Sequence, residues 1–115
     1  MKFNKILEIN KNLIKIKEDG KLFNLLVGLK LINNLNVTNL IVDNGNEKLT
    51  KYITENGIFD GYEYVVENPD LLKNKYEDIN NEDVPCDLLM ITKDDVVGCQ
   101  FDLTTIELLK PLLKF

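Results

Sequence analysis

The chain has 115 residues and contains no histidine, arginine, serine, alanine or tryptophan, so all fourteen basic side chains are lysines. This composition excludes a serine nucleophile, a histidine base and histidine ligands for zinc. The net charge of −5 does not suit a protein that binds nucleic acid by neutralising phosphates, so no nucleic-acid partner is expected.

The first predicted element is a β-hairpin over residues 1–17. Two short runs, KILEI and LIKIK, show apolar and polar side chains in alternation and flank Asn10-Lys11-Asn12. Alternation of this kind is typical of half-buried strands, and an asparagine-rich interval is typical of a turn.

A strongly apolar helix is predicted next, over residues 21–36. Leu22, Leu25, Leu29 and Ile32 follow helical spacing. The apolar residues between them widen the apolar face to most of the circumference, which favours burial between two layers, with an oligomer contact as the alternative. Gly28 in mid-helix is expected to mark the close approach of another backbone.

The rest of the chain is predicted to alternate between strands and helices. Predicted strands are residues 39–43, 61–67, 86–92 and 96–101, and predicted helices are residues 46–56, a short one that starts at Pro69, and one that starts at Thr104. Asn68 followed by Pro69 is typical of a helix start, and Pro111 must kink or end the last helix.

This order predicts an α/β fold for a single domain, residues 1–115. The expected architecture is a three-layer, Rossmann-like sandwich with a mostly parallel central sheet and antiparallel hairpins at its edges. A two-layer α+β arrangement is the alternative. The whole architecture depends on residues 39–43 and 88–92 lying side by side in the sheet.

Acidic side chains follow three of the predicted strands. In an open parallel sheet, ligands bind beyond the carboxyl ends of the strands, so these side chains are expected to converge. The candidate metal ligands are Asp43, Glu67, Asp94 and Asp95, and the candidate ligand-binding residues are Asn44, Asn46 and Lys93. Carboxylate oxygens suit Mg²⁺, and the lysine would neutralise a phosphate. The simpler interpretation is that polar residues there turn the chain and cap helices.

The two cysteines, Cys86 and Cys99, are expected on opposite faces of a predicted hairpin and so to be small buried side chains and not a redox pair. No secretory signal and no apolar stretch of membrane-spanning length are apparent, so a cytoplasmic protein without a membrane partner is expected.

The favoured function is therefore a small, acidic, non-catalytic binding or assembly module without a cofactor. It would act through a protein partner or through self-association into a homo-oligomer. The alternative is a Mg²⁺-dependent enzyme that handles phosphoesters with the carboxylates at the strand ends. The uneven charge supports contact between faces of opposite sign, because residues 1–57 carry a net +3 and residues 58–115 a net −8.

Overall fold

The computed structural model describes all 115 residues, and most of them are helical. The α-helices are Phe3–Glu18 (α1), Leu25–Asn56 (α2), Pro69–Asn81 (α3) and Leu103–Leu109 (α4). Ile58–Phe59 (β1) pairs antiparallel with Tyr64–Val65 (β2), and Ile91–Thr92 (β3) pairs parallel with Leu113–Lys114 (β4). The predicted Rossmann-like α/β sandwich is therefore wrong, because each sheet has only two strands of two residues.

Residues Phe3–Glu18 form a helix where a β-hairpin was predicted. Ile6, Ile9, Leu13 and Ile16 are all buried, and their spacing of three or four residues places them on one side of α1. The alternation within each five-residue run fits a strand equally well. The spacing of three or four residues, which is maintained from Ile6 to Ile16, indicates a helix instead. Only a helix buries all four isoleucine and leucine side chains together.

Residues 39–43, predicted as a central strand, lie in the interior of α2, and so does the predicted turn at Asn44-Gly45. The helix begins after Asn24, whose side-chain oxygen accepts a hydrogen bond from the Val27 N–H at 2.8 Å. No proline interrupts the next 32 residues, and Gly45 keeps a helical backbone without positive φ. The two helices predicted at residues 21–36 and 46–56 are therefore parts of one helix.

The later elements match the prediction in part. Asn68 caps α3 and Pro69 is its first residue, as predicted. The helix predicted from Thr104 is α4, although Asp102 is the residue that caps it, and Pro111 lies in the short 3-10 turn that ends it. Of the predicted strand 61–67 only β2 is paired. The predicted strand 96–101 does not form.

The core lies where α1 and α2 meet the C-terminal part of the chain. One cluster of buried side chains joins these parts: Ile9, Leu13, Ile16, Val27, Leu31, Ile91, Leu109 and Leu112. At the other end of α1, the Phe3 ring packs directly on Gly45 of α2. Gly28 has no neighbouring atom within 4 Å of a Cβ built there, so the close approach of another backbone predicted at Gly28 is wrong; the glycine of α2 that is closely packed is Gly45, and a side chain packs on it.

An extended segment, residues 86–90, runs along α2 without a neighbouring strand. Side chains of α2 form hydrogen bonds with three of its backbone groups. The Asn34 amide donates to the Leu89 carbonyl and accepts from the Leu89 N–H, each at 2.8 Å. The Lys30 ammonium donates to the Met90 carbonyl at 2.8 Å. Asn34 thus provides the donor and the acceptor that a neighbouring strand would have supplied.

The molecule is elongated, with principal extents of 57 × 27 × 21 Å and a radius of gyration of 17.8 Å. A compact domain of this length has a radius of gyration of about 13 Å. The long axis follows from α2, because 32 helical residues span about 48 Å. Only 17 of the 115 residues are buried, so much of the helical surface faces solvent.

The contrasting surroundings of Gly28 and Gly45 in one helix give opposite predictions for the same substitution. Gly28→Ala should raise the free energy of unfolding by about 1 kcal/mol, because alanine is the better helix former and nothing obstructs its methyl group. Gly45→Ala should lower it by roughly 1–3 kcal/mol, because the methyl group overlaps the Phe3 ring. Urea unfolding measures both variants. Equal changes of the same sign would contradict the packing of Phe3 on Gly45.

Candidate functional site

The inward face of α2 is unusually polar. Its buried residues are Val27, Leu31, Asn34, Thr38 and Gly45. Asn34 and Thr38 are completely buried, and both are hydrogen-bonded, since the Thr38 hydroxyl donates to the Asn34 carbonyl at 2.8 Å and accepts from the Asn10 amide at 3.0 Å. These bonds offset the cost of burying polar groups, so the polar residues fix which side of α2 faces the core.

The opposite side of α2 is apolar and faces solvent. We call this surface the outward apolar face; it consists of Leu22, Leu25, Leu26, Leu29, Ile32 and Leu40. The exposed fraction of these side chains runs from 56% for Leu29 to 75% for Leu25 within the helix and reaches 97% for Leu22 just before it. An amphipathic surface helix normally shows the reverse arrangement. Groups of exposed apolar side chains, such as Leu25, Leu29 and Ile32 on successive turns of α2, mark interaction surfaces in soluble proteins.

A groove of about 500 Å³ between α1 and α2 continues the outward apolar face. Leu22, Gly28 and Ile32 border the groove, and the missing side chain at Gly28 leaves a notch between the exposed leucines. Lys17 and Lys21 lie at its edge. The combination of an apolar floor and a basic edge suits an apolar segment with an acidic end.

The most densely hydrogen-bonded carboxylate in the chain is Asp95, one of the predicted metal ligands. Its Oδ2 accepts from Lys30 Nζ, from the Thr92 N–H at 2.8 Å and from the Thr92 hydroxyl at 3.1 Å. The hydrogen bond from Lys30 is the main reason that the pKa of Asp95 lies below its usual range. Asp95 therefore ties the turn after β3 to α2 and has a structural role.

A second ion pair connects the residues just before α2 to the start of α4. Lys21 donates to Asp102, and Asp102 also accepts the Thr105 N–H at 2.7 Å as the cap of α4. The hydrogen bond from Lys21 holds the pKa of Asp102 well below its usual range, and the same bond raises the pKa of Lys21. This pair is half exposed and so contributes modestly to stability.

The predicted metal ligands do not form a cluster. Asp43 lies on the exposed side of α2, Glu67 in the loop before α3, and Asp94 on the surface beside the buried Asp95. No three acidic or cysteine side chains anywhere in the chain are close enough together to hold a metal ion. The strand ends that were expected to gather them do not exist, because residues 39–43 are helical and residues 61–67 form only part of a hairpin.

The predicted ligand-binding residues are also separate. Asp43 and Asn46 share a shallow depression on α2, while Asn44 faces a different cleft, of about 520 Å³, between α2 and α3. Lys48 and Glu82 form an ion pair beside that cleft at 2.9 Å. Lys93 is exposed just before the 3-10 turn at Asp94–Val96. Neither Asn44 nor Asn46 caps a helix, because both lie inside α2.

The two cysteines are unpaired and half-buried. Burial raises the pKa of the Cys86 thiol, which makes it a poor nucleophile at neutral pH. The sulfur of Cys99 accepts a hydrogen bond from the Asn24 side chain at 3.0 Å. Cys99 thus belongs to the contacts that hold the start of α2.

A second exposed apolar patch lies on the β1–β2 hairpin. Ile58, Phe59, Tyr62, Tyr64 and Val65 are all exposed. The Phe59 and Tyr64 rings pack on each other with centroids 5.3 Å apart, so part of this patch is already covered from within the hairpin. The outward apolar face has no such internal cover.

By length and composition α2 is apolar enough to cross a membrane, which the sequence analysis did not anticipate. Its most apolar 18-residue window has a mean hydropathy of 1.4. Only 22% of that window is buried within the molecule, and α2 packs against α1 and α3. Asn34 and Lys30 within α2 also bond to the segment that includes Leu89 and Met90.

Sequence reasoning missed the residues that organise this surface. Leu25, Leu29 and Ile32 were recognised as a helical stripe, for which burial was favoured over an oligomer contact. The signal that identifies the true inward side is the polar set Asn34 and Thr38, which lies opposite that stripe. Pairing of these residues with the Leu89 backbone and with Asn10 could not be read from their positions in the chain.

The hydrogen bonds of Asp95 predict a specific pH dependence. Because its pKa is lowered in the folded protein, Asp95 stabilises the fold above its unfolded pKa of about 4, and this stabilisation is lost as the pH falls below about 4. Asp95→Asn should therefore unfold at a lower urea concentration than the wild type at neutral pH. Between neutral pH and about pH 3 the variant should lose less stability than the wild type does. Asp94→Asn, at an exposed neighbour, should retain the wild-type pH profile. Identical profiles for the two variants would contradict the role of Asp95.

Comparison of the chain with protein-family models, with curated proteins and with solved structures gives no match.

Proposed function

We propose that this protein is a non-catalytic binding and assembly module of the cytoplasm, and that it docks on another protein surface through the outward apolar face of α2. The observation that carries the proposal is the reversed polarity of α2. Its buried side holds Asn34 and Thr38, while Leu25, Leu29 and Leu40 face water. The proposal includes neither a nucleic-acid nor a membrane partner.

The energetics of the exposed leucines support a protein contact. Burying a leucine or isoleucine side chain stabilises a complex by about 1.5–3 kcal/mol, and six such side chains form the outward apolar face. Rotation of α2 within the monomer cannot bury them, because that would break the bonds of Asn34 and Lys30 to the backbone of residues 89 and 90. A second protein surface can cover them without disturbing the core.

The charge of the chain supports a protein as the partner. The net charge of −5 disfavours phosphate-rich partners. The groove beside the face has Lys17 and Lys21 at its edge, and these side chains fit the polar rim that surrounds the apolar centre of protein interfaces. No observation favours the alternative of a Mg²⁺-dependent enzyme, since its carboxylates lie apart.

Site-specific photo-cross-linking in the native cells tests this proposal. A benzophenone side chain in place of Leu29 should yield adducts of defined protein mass, because Leu29 lies at the centre of the face. The same probe at Thr54, an exposed position on the same helix beyond the apolar face, is the matched control and should yield none. Absence of protein adducts at Leu29, adducts to lipid alone, or equal adducts at both positions would refute the docking function.

A further inference from the structure

We infer that the partner on the outward apolar face is a second copy of this chain, bound with its α2 antiparallel to the first across a two-fold axis. This inference rests on the proposed docking function and adds the identity of the partner, its orientation and its register. Three observations on the monomer support it: its accessible area, the positions of the exposed leucines, and the charges at the two ends of the face.

The accessible surface of the monomer is larger than its mass requires. It measures 8017 Å², whereas a compact monomer of 13.3 kDa exposes about 6,500 Å². The excess of about 1,500 Å² per copy falls within the area that each subunit of an obligate homodimer buries, which is about 1,000–2,500 Å². A dimer through α2 would bring the surface back to the usual range.

The two leucines at the ends of the helical part of the face are matched about a single point. Leu25 and Leu40 lie at equal distances, about 11 Å along the helix axis, from a point between Ile32 and Asn33. A two-fold axis through this point places Leu25 of one copy beside Leu40 of the other, and places Leu29 beside Asn36. Each contact between two different residues, such as Leu25 with Leu40, occurs twice in the dimer, once on each side of the axis, as a two-fold interface requires.

The ends of the face carry opposite charges. Lys17 and Lys21 lie at its N-terminal end, while Asp43 and Glu47 follow Leu40 on the exposed side of α2. Lys17, Asp43 and Glu47 take part in no ion pair within the monomer. The antiparallel arrangement brings the acidic end of one copy, with Asp43 and Glu47, towards the basic end of the other, where Lys17 is unpaired in the monomer. A parallel arrangement would instead bring like charges together, which disfavours it.

The centre of the face contains polar residues that can select this register. Asn33 and Asn36 are exposed beside Ile32. Near the two-fold axis the asparagine amides of the two copies can meet each other. A polar pair within an apolar helix seam selects one register and one orientation, and in this register the two copies of Asn33 lie next to the axis.

The mass of the purified full-length chain in solution is the first measurement. Light scattering at micromolar concentration should give twice the monomer mass of 13.3 kDa. Leu29→Glu should weaken dimerisation by about 100-fold, because it buries an unpaired carboxylate at the interface. Thr54→Glu, at the exposed control position beyond the apolar face, should remain dimeric. Circular dichroism establishes that both variants are folded.

Disulfide trapping determines the orientation. In a background with Cys86→Ala and Cys99→Ala, a mixture of Leu25→Cys and Leu40→Cys chains should form disulfide-linked dimers on mild oxidation. Leu25→Cys alone should not, because its two copies are about 22 Å apart in the antiparallel pair. A chain that carries both Leu25→Cys and Leu40→Cys should form disulfide-linked dimers and no larger products. A head-to-tail assembly of the same chain would give a ladder of larger disulfide-linked products.

The outcomes separate this inference from the function on which it rests. A folded monomer that still gives protein adducts of another mass at Leu29 in cells would overturn the second-copy inference and leave the docking function standing. Disulfide dimers from Leu25→Cys alone, or a ladder from the double variant, would overturn the antiparallel two-fold pairing. A monomer that binds anionic lipid vesicles and gives no protein adduct would overturn both.

Discussion

The pairing of the Asn34 side chain with the Leu89 backbone is the interaction on which the rest of the structure depends. The segment before β3 has no neighbouring strand, and a buried backbone group without a partner costs about 1–3 kcal/mol. Asn34 supplies a donor and an acceptor for Leu89, and Lys30 supplies a donor for Met90. These bonds require the polar side of α2 to face inward. The leucines on its other side must therefore face outward.

The proposed function rests on the same constraint. In a self-contained domain the apolar stripe of a surface helix would supply the core, but here α1 and the C-terminal segments supply most of it. The stripe of α2 is exposed in the monomer. The length of the helix separates Lys17 and Lys21 at one end of the face from Asp43 and Glu47 at the other. In the proposed complex these opposite charges would define the orientation of the partner.

Sequence reasoning identified local signals well and long-range partners poorly. The Asn68–Pro69 start of α3 and the stop at Pro111 were predictable, because caps and prolines act through their own backbone. Residues 39–43 were assigned to a strand since a short apolar run fits a strand and a buried helix equally. The predicted metal site is wrong for the same reason. Asp43, Glu67 and Asp94 were expected to converge only because the predicted sheet would have placed them at one edge, and that sheet does not form. Asp95 has a structural role, because Lys30 and Thr92 are its partners.

An NMR measurement of the contacts of the Leu89 amide proton tests this account most directly. The account predicts strong nuclear Overhauser effects between this proton and the side-chain amide of Asn34, together with slow hydrogen exchange of that amide. Contacts from the Leu89 amide to the methyl groups of Leu29 or Leu40 instead would show that α2 is turned by about half a rotation. That result would place the leucines in the core and contradict the account.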